Sequence, residues 1–237
     1  MKNMCATIFF IFCLVGCATV KPIPQEQFNK IKRIGIISVM GEKINLDHFG
    51  PTILNIESKK LEINFNTDQY IVKTFKQEIA QNTSIEIVDV EFDYNRVEKV
   101  NKAYKGFTNA YEAVNTIKEE LREIVKKNSL DALVLVMKKQ TPDLNLNNVD
   151  GAGFFEKDIV LYRECQAYMF AIAILIDGES VEPISNFGYY KHGKIEKEDC
   201  PKGLATFSTY QVDSISKWMA NVIQDGTHDG LTLMGIQ

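Results

Sequence analysis

Residues Asp131-Ala132-Leu133-Val134-Leu135-Val136-Met137 form an apolar run closed on the left by a carboxylate. A half-buried strand alternates apolar and polar side chains, whereas a strand covered on both faces is apolar throughout, so this run predicts a central sheet strand with layers on either side. Residues 31–40 repeat the signal with Ile34, Ile36, Ile37 and Val39. Alternating with helices along the chain, such strands predict an α/β fold.

Working outward, Asn66, Thr67 or Asp68 is placed to cap a helix whose apolar stripe is Ile71, Val72, Phe75 and Ile79. Ile85, Ile87, Val88 and Val90 follow as a strand. A second helix is predicted over about 108–127, with Val114, Ile117, Leu121, Ile124 and Val125 at helical period, ended by Asn128-Ser129. Residues 43–65 show short alternating runs separated by Gly50-Pro51 and Ser58-Lys59-Lys60, which reads as an antiparallel strand insertion. Residues 165–176 are the most apolar stretch of the body, and Asp177-Gly178-Glu179-Ser180 turns them back into 181–190 as a hairpin. Pro183 places irregularity at the start of the return strand. The Asp, Asn and Gly content of 141–162 predicts a long loop. A last helix begins near Asp213 or Ser214 with Ile215, Trp218, Met219, Val222 and Ile223 on one face, and Gly226 falls where a cap is expected. The fold class is therefore α/β (α+β): a mixed β-sheet with three amphipathic helices packed on it, plus the insertion near 41–66.

Composition agrees with a folded body. The chain has 237 residues, 45% hydrophobic and 24% charged, with a net charge of minus 4. No basic field exists to hold nucleic acid, so nucleic-acid binding is not expected.

The N-terminus carries an address. Lys2 precedes an uncharged apolar run over 6–15 that is about half the roughly 20 residues a spanning helix needs, so it reads as a secretory signal. It closes on Leu14-Val15-Gly16-Cys17, which resembles the lipobox of bacterial lipoproteins. The alternative is an uncleaved signal anchor, since 5–20 is uncharged between Lys2 and Lys21. The resemblance implies cleavage before Cys17, acyl chains on that cysteine, and a membrane address in the cell envelope facing the periplasm. Ala18, where the inner-membrane retention signal of such proteins has Asp, favours the outer membrane. Three segments are then expected: a signal peptide over 1–16, a lipidated cysteine and tether over 17–30 containing Pro22 and Pro24, and a single domain over 31–237. Cys5 and Cys13 leave with the signal, so Cys165 and Cys200 remain. In an oxidising compartment they invite a disulfide closing a loop of about 35 residues, with roughly 4 kcal/mol of stabilisation in the chain-entropy model. The alternative is two unrelated thiols.

The element order is also similar in layout to periplasmic α/β lipoproteins of the curli-secretion and penicillin-binding-protein-activator type, on the Ile85 to Asp89 aliphatic-acid strand, the Leu-Asp-Ala-Leu-Val-Leu-Val strand at 130–136, the Gly-turned hairpin and the final helix. That likeness implies an assembly-accessory or scaffold role without catalysis, acting through an envelope protein partner or self-association.

The chemistry-bearing residues are sparse. His48, His192 and His228 lie in different segments with no zinc-ligand spacing, so no metal or other cofactor is expected. Asp225-Gly226-Thr227-His228-Asp229-Gly230 lacks the alternating acidic ligands of a calcium loop and reads as a helix cap and turn. The rival to a binding or scaffold role is a hydrolase-like envelope enzyme whose site is built from the 141–162 loop and the 41–65 insertion, using Asp47, His48 or Asp150.

Overall fold

The two apolar runs lie side by side. A computed structural model describes residues 22–49, 56–61, 65–104, 109–139, 149–159, 162–194 and 209–236. Residues 1–16, expected to be a signal peptide, and Cys17 and Cys200 lie outside the described residues. In chain order the elements are α1 (Gln25–Phe28), β1 (Arg33–Ser38), β2 (Ile44–Phe49), β3 (Ile56–Leu61), α2 (Thr67–Asn82), β4 (Glu86–Val88), α3 (Tyr94–Val97), α4 (Lys99–Ala103), α5 (Ala110–Asn115), α6 (Lys118–Asn128), β5 (Ala132–Lys138), β6 (Gly151–Ile159), β7 (Tyr162–Asp177), β8 (Pro183–Lys194) and α7 (Thr209–Met234).

β1 pairs parallel with both β4 and β5, with Ile34 opposite Ile87 and Ala132. The long β7 joins two half-sheets. Along one edge, residues 171–177 pair antiparallel with β5 and residues 162–170 pair antiparallel with β6; along the other edge runs β8. β2 then pairs parallel with β6 and antiparallel with β3, which confirms the strand insertion and gives the order β3-β2-β6-β7-β5-β1-β4 with β8 on β7.

Alternate residues of β1 and β5 serve two cores, as their unbroken apolarity requires. Ile34, Ile36, Val134 and Val136 face α2 and α7, with Ile71, Phe75, Met219 and Ile223. Ile37, Leu133, Leu135 and Met137 face the helices between β4 and β5, with Val114, Leu121 and Val125. A third cluster, Phe49, Val149, Phe155, Tyr168 and Phe170, fills one face of the β2-β6-β7 half.

Helix ends follow local chemistry. Of the three candidate caps for α2, Asn66 is the one used: its side chain accepts from the Gln69 amide at 3.0 Å. α6 ends on Ser129 in the left-handed region, φ 52°. At the hairpin turn Asp177 Oδ1 accepts from the Glu179 and Ser180 amides, and the register slips between Leu175 and Ile176, where Pro183 enters.

Three expectations are corrected. The expected 141–162 loop contains a nine-residue strand, β6. Its glycines hid it: a Cβ on Gly153 would lie 2.5 Å from the Asn45 carbonyl and the Tyr168 hydroxyl, so the strand needs a residue without a side chain there. The single helix over 108–127 is two, because the Thr116 hydroxyl bonds back to the Ala113 carbonyl at 2.6 Å and Ile117 leaves helical geometry at φ −123°. The last helix runs from Thr209 through Gly226 and Gly230 to Met234, so 225–230 is helix rather than cap and turn. Those glycines face rings: a Cβ would lie 2.7 Å from Tyr189 at Gly226 and 2.3 Å from Phe187 at Gly230. Small residues there let α7 lie close on β8.

Candidate functional site

In sheets of parallel strands, ligands enter where the chain leaves adjacent strands in opposite directions, beyond their carboxyl ends. Here β1 leads first to β2 and β3 at the far edge and only then through α2 to β4, and β5 leads to β6 and β7, so both strands leave towards the same side and their carboxyl ends form no such crevice. The gap between them is filled by Asn101 of α4, whose amide donates to the Val39 carbonyl at 2.7 Å and whose oxygen accepts from the Lys138 N–H at 2.9 Å. This side chain adds a rung to the parallel ladder where the main chains part. The open space is displaced to the α2 side.

There a cavity of about 520 Å³ is lined by Ser38, Glu42, Asp68, Val72, Lys76, Phe92 and Tyr94 among others, beside a second of about 390 Å³ that shares Glu42 and Tyr94. Asp68, in the first turn of α2, reaches back over the end of β1. Its Oδ1 accepts from the Ser38 hydroxyl at 2.5 Å and the Met40 N–H at 2.7 Å, and its Oδ2 from the Gly41 N–H at 2.9 Å. Gly41 sits at φ +94°, a conformation that suits glycine and turns its amide inward. The Tyr94 hydroxyl completes the set. Burial pushes the Asp68 carboxyl above its ordinary value, and these donors pull the other way. Tyr94 is pushed up by burial and by the Asp68 and Glu98 charges, so it stays a phenol and a donor. The arrangement braces the cleft; with four donors occupying Asp68, the carboxylate is committed to holding 38–41 in place. Val72 and Phe92 give an apolar floor, and Lys76 is paired with Asp89 at the rim. Such a surface holds a ligand or peptide side chain better than it moves protons.

The residues singled out from sequence lie away from this cleft, and of them Asp47 and Asp150 both act on the Tyr168 hydroxyl. Asp47 and His48 are adjacent on β2 and therefore face opposite sides. Asp47, 8% exposed, accepts from the Tyr168 hydroxyl at 2.9 Å in the third cluster. His48 Nδ1 lies 3.0 Å from the 2%-exposed Glu156 on the α7 side. The carbonyl of Asp150 accepts from Asn45 at 2.9 Å. The insertion and the 141–162 segment do meet, as β2 beside β6, but as a sheet in which Asp47 and His48 are engaged separately. His192 lies beside Gln166 and His228 beside Glu78. Cys165 is buried on β7 and engaged, while Cys200 lies outside the described residues. Among the described residues no group of three or more His, Cys, Asp or Glu is placed to hold a metal ion, and no helix is long and apolar enough to cross a membrane.

Asp68 was legible from sequence only as a cap candidate, and Ser38, Tyr94 and Asn101 gave no signal. The sole hint was a carboxylate in the first turn of a predicted helix.

No family model matches the chain, and no curated protein matches it. Solved structures do. A Xanthomonas campestris protein of the DUF330 family matches at TM-score 0.42 and 8% identity, over 86% of this chain and 85% of its own. The PelC dodecamer of Paraburkholderia phytofirmans matches at 0.35 and 7%, over 88% and 92%. Lipoprotein GNA1162 of Neisseria meningitidis matches at 0.32 and 10%, over 81% and 98%. Likenesses this distant assign neither family nor role.

Proposed function

We propose that this chain is a lipid-anchored cell-envelope protein, held by acylated Cys17 and facing the periplasm, with a non-enzymatic binding or scaffold role. The observation that carries it is the Leu14-Val15-Gly16-Cys17 tetrapeptide closing a short apolar run six residues before Ile23, which is buried in the folded body at 7% exposure. An acyl anchor contributes about 0.8 kcal/mol per buried CH2, so two or three chains on one cysteine hold the body permanently at the bilayer. Partner search then becomes local and effective concentration rises. The cleft between α2 and α3 is the surface offered to a partner. The Ala18 side chain favours the outer membrane. A Cys165–Cys200 disulfide belongs to the same reading, supported by the buried, engaged state of Cys165 and by the compartment.

The role is tested by native mass measurement of the chain extracted from its own membrane in mild detergent. A defined multimer, or a complex with another envelope protein, is expected. A lone acylated monomer under conditions that preserve known envelope complexes overturns the scaffold role.

A further inference from the structure

We infer that the body stands on one end, with α1 and the amino-terminal ends of β1, β4 and β5 facing the lipid leaflet that holds the anchor, so that the Asp68–Tyr94 cleft is presented away from it. This rests on the lipid-anchor reading above.

The chain enters the body at a defined point. The Ile23 N–H donates to the Met234 carbonyl at 2.9 Å, and Ile23 and Ile31 are buried on either side of α1. α1 lies across one end of the sheet. One side of it borders residues 82–85 and 235–236, where α2 and α7 finish and β4 begins; the other borders 130–131 and 178–180, where β5 begins and the β7–β8 hairpin turns. Every parallel strand of this half therefore starts at the end where the tether attaches. Ser38, Asp68 and Tyr94 lie at the opposite end, beyond the six residues of β1, which span about 20 Å at roughly 3.3 Å per residue.

The tether decides which end meets the membrane. From Cys17 to Ile23 there are six backbone steps, which extend to about 20 Å at most. A domain of this size has a radius of gyration of about 17 Å and measures roughly 40 Å across. To lay the cleft on the leaflet, the tether would have to run past the whole of β1, about 20 Å, and the residues at either end of it, which is more than its full extension. The end that carries α1 has no such difficulty. Its charges are mixed: Lys30 pairs with Glu26 at 3.6 Å, both well exposed. Leu233, 56% exposed beside the Met234 carbonyl that receives Ile23, is an apolar side chain at the same end. Orientation is thus set by chain length rather than by a basic patch, and salt should leave it unchanged.

The test uses the full acylated chain, methyl-labelled at Ile, Leu and Val, in phospholipid nanodiscs with and without a lipid whose headgroup chelates gadolinium. The methyl signals of Ile23, Ile31 and Ile236 are expected to lose most of their intensity, while those of Val39, Val72 and Val97 are retained. Equal loss at both ends, or greater loss at Val39 and Val72, overturns the inference. A variant with twelve Gly/Ser residues inserted after Ala18, whose own r.m.s. span is about 20 Å and which triples the length of the tether, should even out the two sets; an unchanged pattern would mean that something other than tether length orients the body and would overturn the inference too. Intact mass and co-migration with the disc, measured on the same sample, report the anchor separately. A chain without acyl groups that leaves the disc refutes the anchor and this inference with it, whereas an acylated, disc-bound chain with the wrong pattern refutes the orientation alone.

Discussion

Gly230→Ala is a substitution whose sign the structure decides against helix propensity. In an isolated helix, replacing glycine by alanine stabilises by about 0.8–1.0 kcal/mol. Here the new Cβ would lie 2.3 Å from Phe187 Cδ2 and Cε2 and 2.5 Å from Cγ, where van der Waals contact needs about 3.5 Å or more. Phe187 cannot withdraw. It is 3% exposed, its ring centroid is 6.0 Å from that of Phe75 and 5.2 Å from that of Tyr189, and the overlap includes Cγ, the root of the ring. Relief has to come from moving α7 off β8. Overpacking of this kind costs about 1–3 kcal/mol, and with the ring's root involved the upper half of that range applies, which leaves a net destabilisation of about 1–2 kcal/mol after the propensity gain. Urea unfolding of an acyl-free chain beginning at Ala18 measures it, with the midpoint lowered and the slope unchanged. Adding Phe187→Leu removes the colliding ring, so the double variant should be less destabilised than the two single effects together, by about 1 kcal/mol or more. A stabilised Gly230→Ala variant, or strictly additive effects, would refute the close approach of α7 to β8.

Asn101→Leu should destabilise by about 1–3 kcal/mol, because it strips partners from the Val39 carbonyl and the Lys138 amide while keeping the volume; hydrogen exchange at Lys138 should quicken, and an unaltered Lys138 amide would contradict the rung. Tyr168→Phe removes a donor from the buried Asp47 carboxylate and should lower stability by a similar amount, read from the same urea midpoint. The pH dependence has two opposite contributions. Asp68 has a raised folded-state pKa, so its contribution is fully present below the unfolded carboxylate value near 3.8 and declines as pH rises through the folded value. Asp89, drawn down by Lys76, contributes above the unfolded value and loses that contribution as pH falls through its folded pKa. Carboxyl carbon NMR should find Asp68 titrating above 3.8 and Asp89 below it, the latter shift shrinking with salt; the reverse order would contradict the cleft geometry.

What the sequence revealed was what local pattern encodes. β1 and β5 were legible because a strand covered on both faces leaves no polar alternation, and α2 because Ile71, Phe75 and Ile79 repeat at helical spacing behind a capping asparagine. The β7–β8 hairpin was legible from its Asp-Gly-Glu-Ser turn, and Pro183 marked the register slip. What was hidden depends on contacts distant in sequence. Gly153 makes sense only once Tyr168 is seen to occupy its missing side chain, and Gly226 and Gly230 only once the Tyr189 and Phe187 rings are beneath them. In the same way Asp68 meets Ser38 thirty positions away, and Asn101 meets Val39 across sixty-two. Asp47-His48 misled for the converse reason: adjacency on a strand separates side chains onto opposite faces.

Lipidation at Cys17 is read most directly from the intact mass and N-terminal peptide of the protein taken from the membrane of the cell that makes it. The expected result is a chain that begins at Cys17 and carries two or three acyl groups there, and a Cys17→Ser variant that keeps residues 1–16 and gains no acyl mass. A native chain that retains residues 1–16 with an unmodified Cys17, or an acylated Cys17→Ser variant, would contradict it.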